Sequence, residues 1–305
     1  MIFASHSFHA TLISAYTPVT WTQLVDTSFS LTNINAVIRN PSSSFYIAVG
    51  NSGKIATSLD TQTWTQRASG FFDSNIYAVS YGNNLYVIGG SSGKLATSPD
   101  GINWTLRSSS FGASTILGIS YSPSASLWIA VGGSGKLATS IDGISWTQRT
   151  SSFGTSFINS VWSAPSLITA VGYDGKLATS TNGVNWTQRT SSFGTSIINA
   201  VSATPSGKFV AVGDSGKVAN STNGSTWTQV FPVSTFGLSS IRSVSVSAEG
   251  TYLAAGASGK LATSFDGVSW LQRTSSFGTT NINGAYIDNS IALAVGASGK
   301  IAYSI

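Results

Sequence analysis

Apolar and polar residues alternate along this chain in short runs, and Gly, Pro, Asn and Ser break the runs at regular places. Residues 158–189 show the pattern. Ile158-Asn159-Ser160-Val161-Trp162 reads as a first strand, followed by a turn at Pro165 and Ser166. Leu167 to Gly172 reads as a second strand, Tyr173-Asp174-Gly175 as a loop, and Lys176 to Ser180 as a third strand. Asn182-Gly183 makes a tight turn, and Val184 to Arg189 follows as a fourth strand. Val, Ile, Thr and aromatic residues fill the runs, as expected of strands joined by hairpins. No window keeps a helical period over three turns.

The four-strand unit repeats. A Gly-Lys pair recurs with its lysine at Lys54, Lys94, Lys136, Lys176, Lys217, Lys260 and Lys300. A Trp recurs in step at Trp21, Trp64, Trp104, Trp146, Trp186, Trp227 and Trp270. Both series have a period of about 41 residues, which is the spacing of propeller blades. A solenoid of parallel strands would need shorter repeats; four antiparallel strands per unit favour a β-propeller. The last unit stops at Ile305 after its third strand, and Trp21 has no three strands before it. Residues 19–24 are therefore expected to complete blade seven with its fourth strand, which closes the ring and covers two open edges. The expected organisation is an N-terminal arm over residues 1–18 and an all-β, seven-bladed propeller over residues 19–305.

Composition narrows the chemistry. The 305 residues hold no Cys, two His and one Glu, Glu249. Thiol chemistry and a disulfide framework are excluded. His6 and His9, three apart with no acid beside them, are too few ligands for a metal site. No metal and no cofactor are expected. No apolar run approaches the length of a membrane-spanning helix. The first Lys or Arg is Arg39, so the N-terminus lacks the basic start of a secretory signal. The net charge is +5, yet seven lysines belong to Gly-Lys, and Arg67, Arg107, Arg149, Arg189 and Arg273 each follow a repeat Trp by three residues. The positive charge is thus spread round a ring with the lysine heads in water, not gathered in the stripe of a nucleic-acid surface. Neither nucleic acid nor membrane is expected as a partner.

The turn between the third and fourth strands carries a resemblance. It reads Ser98-Pro-Asp100-Gly-Ile-Asn-Trp104, Ser140-Ile-Asp142-Gly-Ile-Ser-Trp146 and Ser264-Phe-Asp266-Gly-Val-Ser-Trp270. Asn182 and Asn223 replace the Asp, and Ser58-Leu-Asp60-Thr-Gln-Thr-Trp64 lacks the Gly. This resembles the Asp-box of sialidase-type propellers, shortened by one residue between Asp and Trp. An Asp or Asn there folds its oxygen onto nearby backbone N–H groups. The resemblance implies the propeller fold over residues 19–305 and says little about activity. A sialidase needs an arginine cluster, a Tyr–Glu pair and an acid. Here the Arg residues are repeat copies apart from Arg39 and Arg242, and Glu249 lies in a turn. The expectation is therefore a protein without enzyme activity.

Departures from the repeat mark the candidate site. The face built from the second-to-third-strand loops and the blade-to-blade loops carries Tyr173 and Asp174 in blade four, and Asp214 in blade five. Arg189 and Phe193 lie in the loop between those blades, and Asp73 is a further departure. An aromatic beside carboxylates and an Arg suits a sugar; loop drift gives the same pattern. A repeated site is the alternative: Phe29, Phe72, Phe111, Phe153, Phe193, Phe236 and Phe277 recur in the blade-to-blade loops, with Arg149 beside Phe153 and Arg273 beside Phe277. Exposed, these rings would form shallow repeated pockets; buried, they would plug the gaps between blades. Asn35, Asn159, Asn199 and Asn283 open the first strand, with Arg242 in their place in blade six.

The near-identical blades, the single Met and the richness in Gly, Ser, Thr and Asn resemble bacteriophage tail and fibre proteins and some secreted bacterial adhesins. That resemblance implies a virion component, located in the virion or outside the cell, that binds a host surface glycan or a neighbouring virion protein. A secreted lectin or adhesin is the alternative, and a structural assembly factor or a glycoside hydrolase comes after it. The arm over residues 1–18 is the expected route to a homo-oligomer or a larger assembly.

Overall fold

The computed structural model describes residues 16–25, 27–230 and 235–305. Seven four-stranded antiparallel sheets form a ring of blades, a seven-bladed β-propeller. Strands are lettered A to D from the central axis outward. In blade 4 they are Ile158–Ser163, Ile168–Gly172, Leu177–Ser180 and Thr187–Arg189. The boundaries differ from the expected ones by one residue for A, B and C and by three for D. Val184 and Asn185 are held in the turn before D, because their N–H groups bond to Asn182 Oδ1. Blade 7 has A, B and C at Ile282–Ile287, Ala292–Gly296 and Ile301–Ser304. Its D strand is Thr22–Gln23, paired with C as Thr22 to Tyr303 and Gln23 to Ala302. The ring is closed as expected.

Strand A carries the same irregularity in every blade. Pairing with strand B skips one residue between the first and third positions, as at Ile158 and Ser160. A bulge of this kind re-aims the skipped side chain. The residue it turns out is the one at Asn159 and its equivalents, and it points across the blade boundary. Asn35, Asn159, Asn199 and Asn283 each donate from Nδ2 to the carbonyl of the first strand-A Ile in the next blade, at 2.8–3.0 Å. These residues are ties between blades.

The core lies between blades. One cluster joins Val171 and Leu177 of blade 4 to Ile198, Val201, Phe209 and Ala211 of blade 5, around Phe193 and Trp227. The repeat aromatic is fully buried in all seven loops: Phe29, Phe71, Phe111, Phe153, Phe193, Phe236 and Phe277. In the D–A loop between blades 1 and 2 the plug is Phe71, and Phe72 is 79 % exposed. The repeat position expected at Phe72 is thus filled by its neighbour.

The two faces of the ring use different devices. D–A and B–C loops form one face, here the loop face; A–B and C–D turns form the other, the turn face. In the C–D turn of blade 3, Asp142 Oδ1 accepts from the N–H groups of Ile144 and Ser145, and Ser140 Oγ accepts from Gly143 N, all at 2.8 Å. The B–C loop of blade 4 turns through Gly175 at φ +60°, where a Cβ would stand 2.0 Å from the carbonyl oxygen of Gly194. Only glycine fits the left-handed backbone and the close approach together.

Candidate functional site

The lysine of each Gly-Lys pair reaches over the adjoining D–A loop. Lys54, Lys94, Lys136, Lys176, Lys217, Lys260 and Lys300 all donate from Nζ to the carbonyl of the buried Phe, at 2.6–3.2 Å. This corrects the expectation that their heads lie free in water. The same carbonyl accepts a turn N–H from three residues on, as Phe111 O does from Ser114 N at 3.1 Å, and the ammonium takes its second lone pair. The strand-D arginines are tethered as well: Arg67, Arg107, Arg149, Arg189 and Arg273 donate from Nε to a strand-C Thr hydroxyl at 2.9–3.0 Å. Their remaining N–H groups are left for other partners.

The lysine bonds fix seven cations on the loop face, and Arg242, at the start of a strand A, makes an eighth; the strand-D arginines fold back along strand C, where Arg67 lines a pocket with Asp60 of the C–D turn. Among the described residues, the acids of this face are Asp73, Asp174 and Asp214. One ion pair occurs among the described residues, Arg39 with Asp288, and it lies on the turn face. Among the described residues, the loop-face cations have no ion-pair partner. The turn face has the opposite balance, with Asp60, Asp100, Asp142, Asp266, Asp288 and Glu249 against Arg39 and Lys208.

The predicted site residues divide into three groups. Asp174 and Arg189 line one shallow pocket of about 330 Å³ with Lys176 and Gln188. Blade 2 holds its counterpart of about 360 Å³, lined by Ser92, Lys94 and Arg107. Asp174 thus modifies a repeated pocket: its Oδ2 accepts from Ser156 Oγ at 2.6 Å, and the same hydroxyl accepts from Lys176 Nζ at 2.8 Å. Tyr173 lies beside it and pairs with Phe157, ring centroids 5.2 Å apart, each residue about two-fifths exposed. In the second group, Asp214 sits at the channel mouth, where its Oδ1 accepts from Asn199 Nδ2 at 3.0 Å. Asp73 is exposed in another blade.

The third group corrects the repeated-pocket expectation. Phe153, Phe193 and Phe277 are at most 1 % exposed, so no ring is offered to a sugar beside Arg149, Arg189 or Arg273. Each ring fills the gap between two blades because that is the largest apolar space the repeat leaves. Sequence reasoning missed Phe157. Its signal was available: Phe157 stands where Asn33, Asn75 and Asn281 occupy three other blades and accept from a Ser N–H of the preceding blade.

No protein-family model and no curated protein sequence matches the chain. Solved structures do. YCF48 from Cyanidioschyzon merolae is similar with a TM-score of 0.71 and 18 % identity, over 93 % of this chain and 98 % of that one. YCF48 bound to D1 peptide is similar with a TM-score of 0.73 and 18 % identity, over 95 % and 96 %. A catalytically inactive variant of virginiamycin B lyase from Staphylococcus aureus, with quinupristin, is similar with a TM-score of 0.81 and 9 % identity, over 94 % and 100 %. At these identities the likeness is one of fold. It overturns the expectation of a phage tail or fibre protein, lectin or adhesin. These neighbours are a peptide-bound propeller and a lyase, and the buried Phe rings remove the repeated sugar platforms, leaving Tyr173 as the exposed aromatic of the site expected between blades 4 and 5. What the comparisons establish is that this chain has the seven-bladed β-propeller fold.

Proposed function

We propose that the protein is a non-catalytic propeller whose loop face holds an acidic peptide segment of another protein. One observation carries the reading: seven lysines and Arg242 share a face with three described acids. A one-signed surface raises the local concentration of an oppositely charged partner and speeds its capture. The exposed Phe157–Tyr173 pair, next to the Asp174–Lys176–Arg189 pocket, adds a place for an apolar side chain of the peptide. A propeller of similar fold, YCF48, has been solved with a peptide bound. The reading as a non-enzyme is supported by the four Asp residues of the C–D turns, each of which spends its Oδ1 on two backbone N–H groups. We also read those turns as a shortened Asp-box, on the strength of that hydrogen-bond pattern.

The test is fluorescence anisotropy with a labelled peptide that carries five acidic residues around one Phe. Binding is expected at about 0.02 M salt and is expected to weaken at least tenfold at about 0.3 M, as screening shortens the reach of the charges. A peptide with Lys in place of the acids should not bind. Tyr173→Ala and Arg189→Gln should each weaken binding about three- to tenfold. Equal binding of the two peptides would sink the proposal.

A further inference from the structure

The central channel opens on the turn face into a cavity of about 450 Å³, walled by the ends of strand A in blades 1, 2, 4, 6 and 7. It lies on the face away from the peptide site proposed above and does not depend on that reading. Most of its wall is apolar. The fifth residue of strand A is serine in four blades: Ser80, Ser120, Ser202 and Ser245. In blades 4 and 7 it is Trp162 and Tyr286, and both line the cavity. Blades 4 and 7 are three steps apart in a ring of seven, so the two aromatics stand on opposite sides of the channel.

One charged pair serves this aromatic space, beside the hydroxyls of Ser80, Tyr81 and Ser245. Arg39 and Asp288 form their ion pair at its wall, from blades 1 and 7. Asp288 has no oxygen to spare: Oδ1 accepts from Ser290 N, Ser290 Oγ and Ile291 N, and Oδ2 accepts from Arg39 and from Tyr286 OH. Arg39 uses Nε on Ser43 O and Nη1 on Asp288, which leaves three of its five N–H donors. The pair therefore offers donors in a planar fork and no acceptor. That fork matches a carboxylate, which can accept two parallel N–H bonds. A pocket of this size with apolar walls and a few convergent polar groups is the usual form of a small-molecule site.

We propose that the turn-face mouth of the channel binds a small aromatic carboxylate, its ring between Trp162 and Tyr286 and its carboxylate on the free N–H groups of Arg39. The probes are 2-naphthoate and 2-naphthylmethylamine, which share a ring and differ in the head. Titration calorimetry on the whole protein should show naphthoate bound at least tenfold more tightly than the amine. Trp162→Ser and Tyr286→Ser install the residue of four other blades, blade 1 having Ile38, so the fold is expected to tolerate them; each should weaken naphthoate at least fivefold. Arg39→Lys keeps the charge and loses the fork, and should weaken naphthoate while leaving the amine unchanged. Thermal unfolding of each variant separates a lost site from a lost fold, and Trp162→Ser decides the matter if Arg39→Lys does not fold. No naphthoate binding, equal binding of both probes, or naphthoate binding indifferent to Trp162→Ser and Tyr286→Ser would overturn the proposal.

Discussion

The loop face and the turn face end the same strands, yet they solve opposite problems. At the D–A loops each Phe carbonyl accepts one turn N–H and keeps a second lone pair, which a lysine ammonium takes. At the C–D turns it leaves N–H groups without partners, and an Asp or Asn oxygen caps them. Acceptors call for cations and donors call for anions, so a repeat that caps both ends makes one face basic and the other acidic. The two caps are not equally replaceable. Lysine stands in all seven blades, whereas Asn182 and Asn223 do the work of Asp, since a neutral amide oxygen also accepts. The charge asymmetry thus begins as backbone chemistry, and binding can exploit it.

The difference between the faces can be broken at several points. The largest effect should come from the plug beneath the loop face. Phe153→Ala empties a fully buried site and should cost about 3–5 kcal/mol, read from urea unfolding. Next is the cap itself. Lys136→Met removes the 2.6 Å bond to Phe111 O and should cost about 1–3 kcal/mol by the same measurement. On the turn face, Asp266→Ala loses the bonds to Val268 N and Ser269 N. Those N–H groups can turn to water, so about 0.5–2 kcal/mol is expected. Asp266→Asn should change stability by less than about 0.5 kcal/mol, because Asn fills this position in two other blades. A large loss in the Asn variant would mean that charge, not the acceptor, holds the turn.

Acid sharpens the same contrast. The N–H groups of Thr63 and Gln62 hold Asp60 down at about 2. The N–H groups of Asn103 and Ile102 likewise lower Asp100, and those of Ser145 and Ile144 lower Asp142. Burial raises Asp266, but the N–H groups of Ser269 and Val268 outweigh it, and it too ends lowered. A carboxylate whose folded pKa lies below its unfolded value of about 3.9 stabilises the fold fully above that pH. The contribution is lost as pH falls through about 2 at Asp60. Unfolding midpoints should therefore drop between about pH 4 and pH 2, and replacing all four Asp by Asn should flatten the drop. The smallest effect on stability should be that of Tyr173→Ala, under about 0.5 kcal/mol in the same unfolding assay, because the residue is two-fifths exposed.

The repeat made the fold legible and the sites obscure. Seven Gly-Lys pairs and seven Trp residues count the blades, and the missing strands at the two ends of the series identify Thr22–Gln23 as the closing strand. Periodicity places residues in a blade but does not say which way a ring turns. Phe71 and Phe72 are adjacent, either can carry the repeat, and only packing against blade 2 selects Phe71. The lysine caps were hidden because an acceptor on the backbone leaves no mark in the sequence. The channel cavity was hidden because Arg39 and Asp288 are 249 residues apart and meet only when the ring closes. Its signals were present as exceptions: Trp162 and Tyr286 interrupt a series of serines, and Arg39 is one of two arginines outside the repeat.

The closing strand has a mechanical consequence. Thr22 lies opposite Tyr303, so the chain enters and leaves the ring side by side at one end of an antiparallel pair. Tension applied there peels the pair apart one hydrogen bond at a time, whereas shear would load all of its bonds together. The latch is two residues long, with Leu24 N on Ile301 O and Tyr16 OH on Ser304 O beside it. Under a pulling force blade 7 is therefore the weak link of the ring. It should release the first strand at low load, while the other six blades, each with its four strands contiguous in sequence, stay folded.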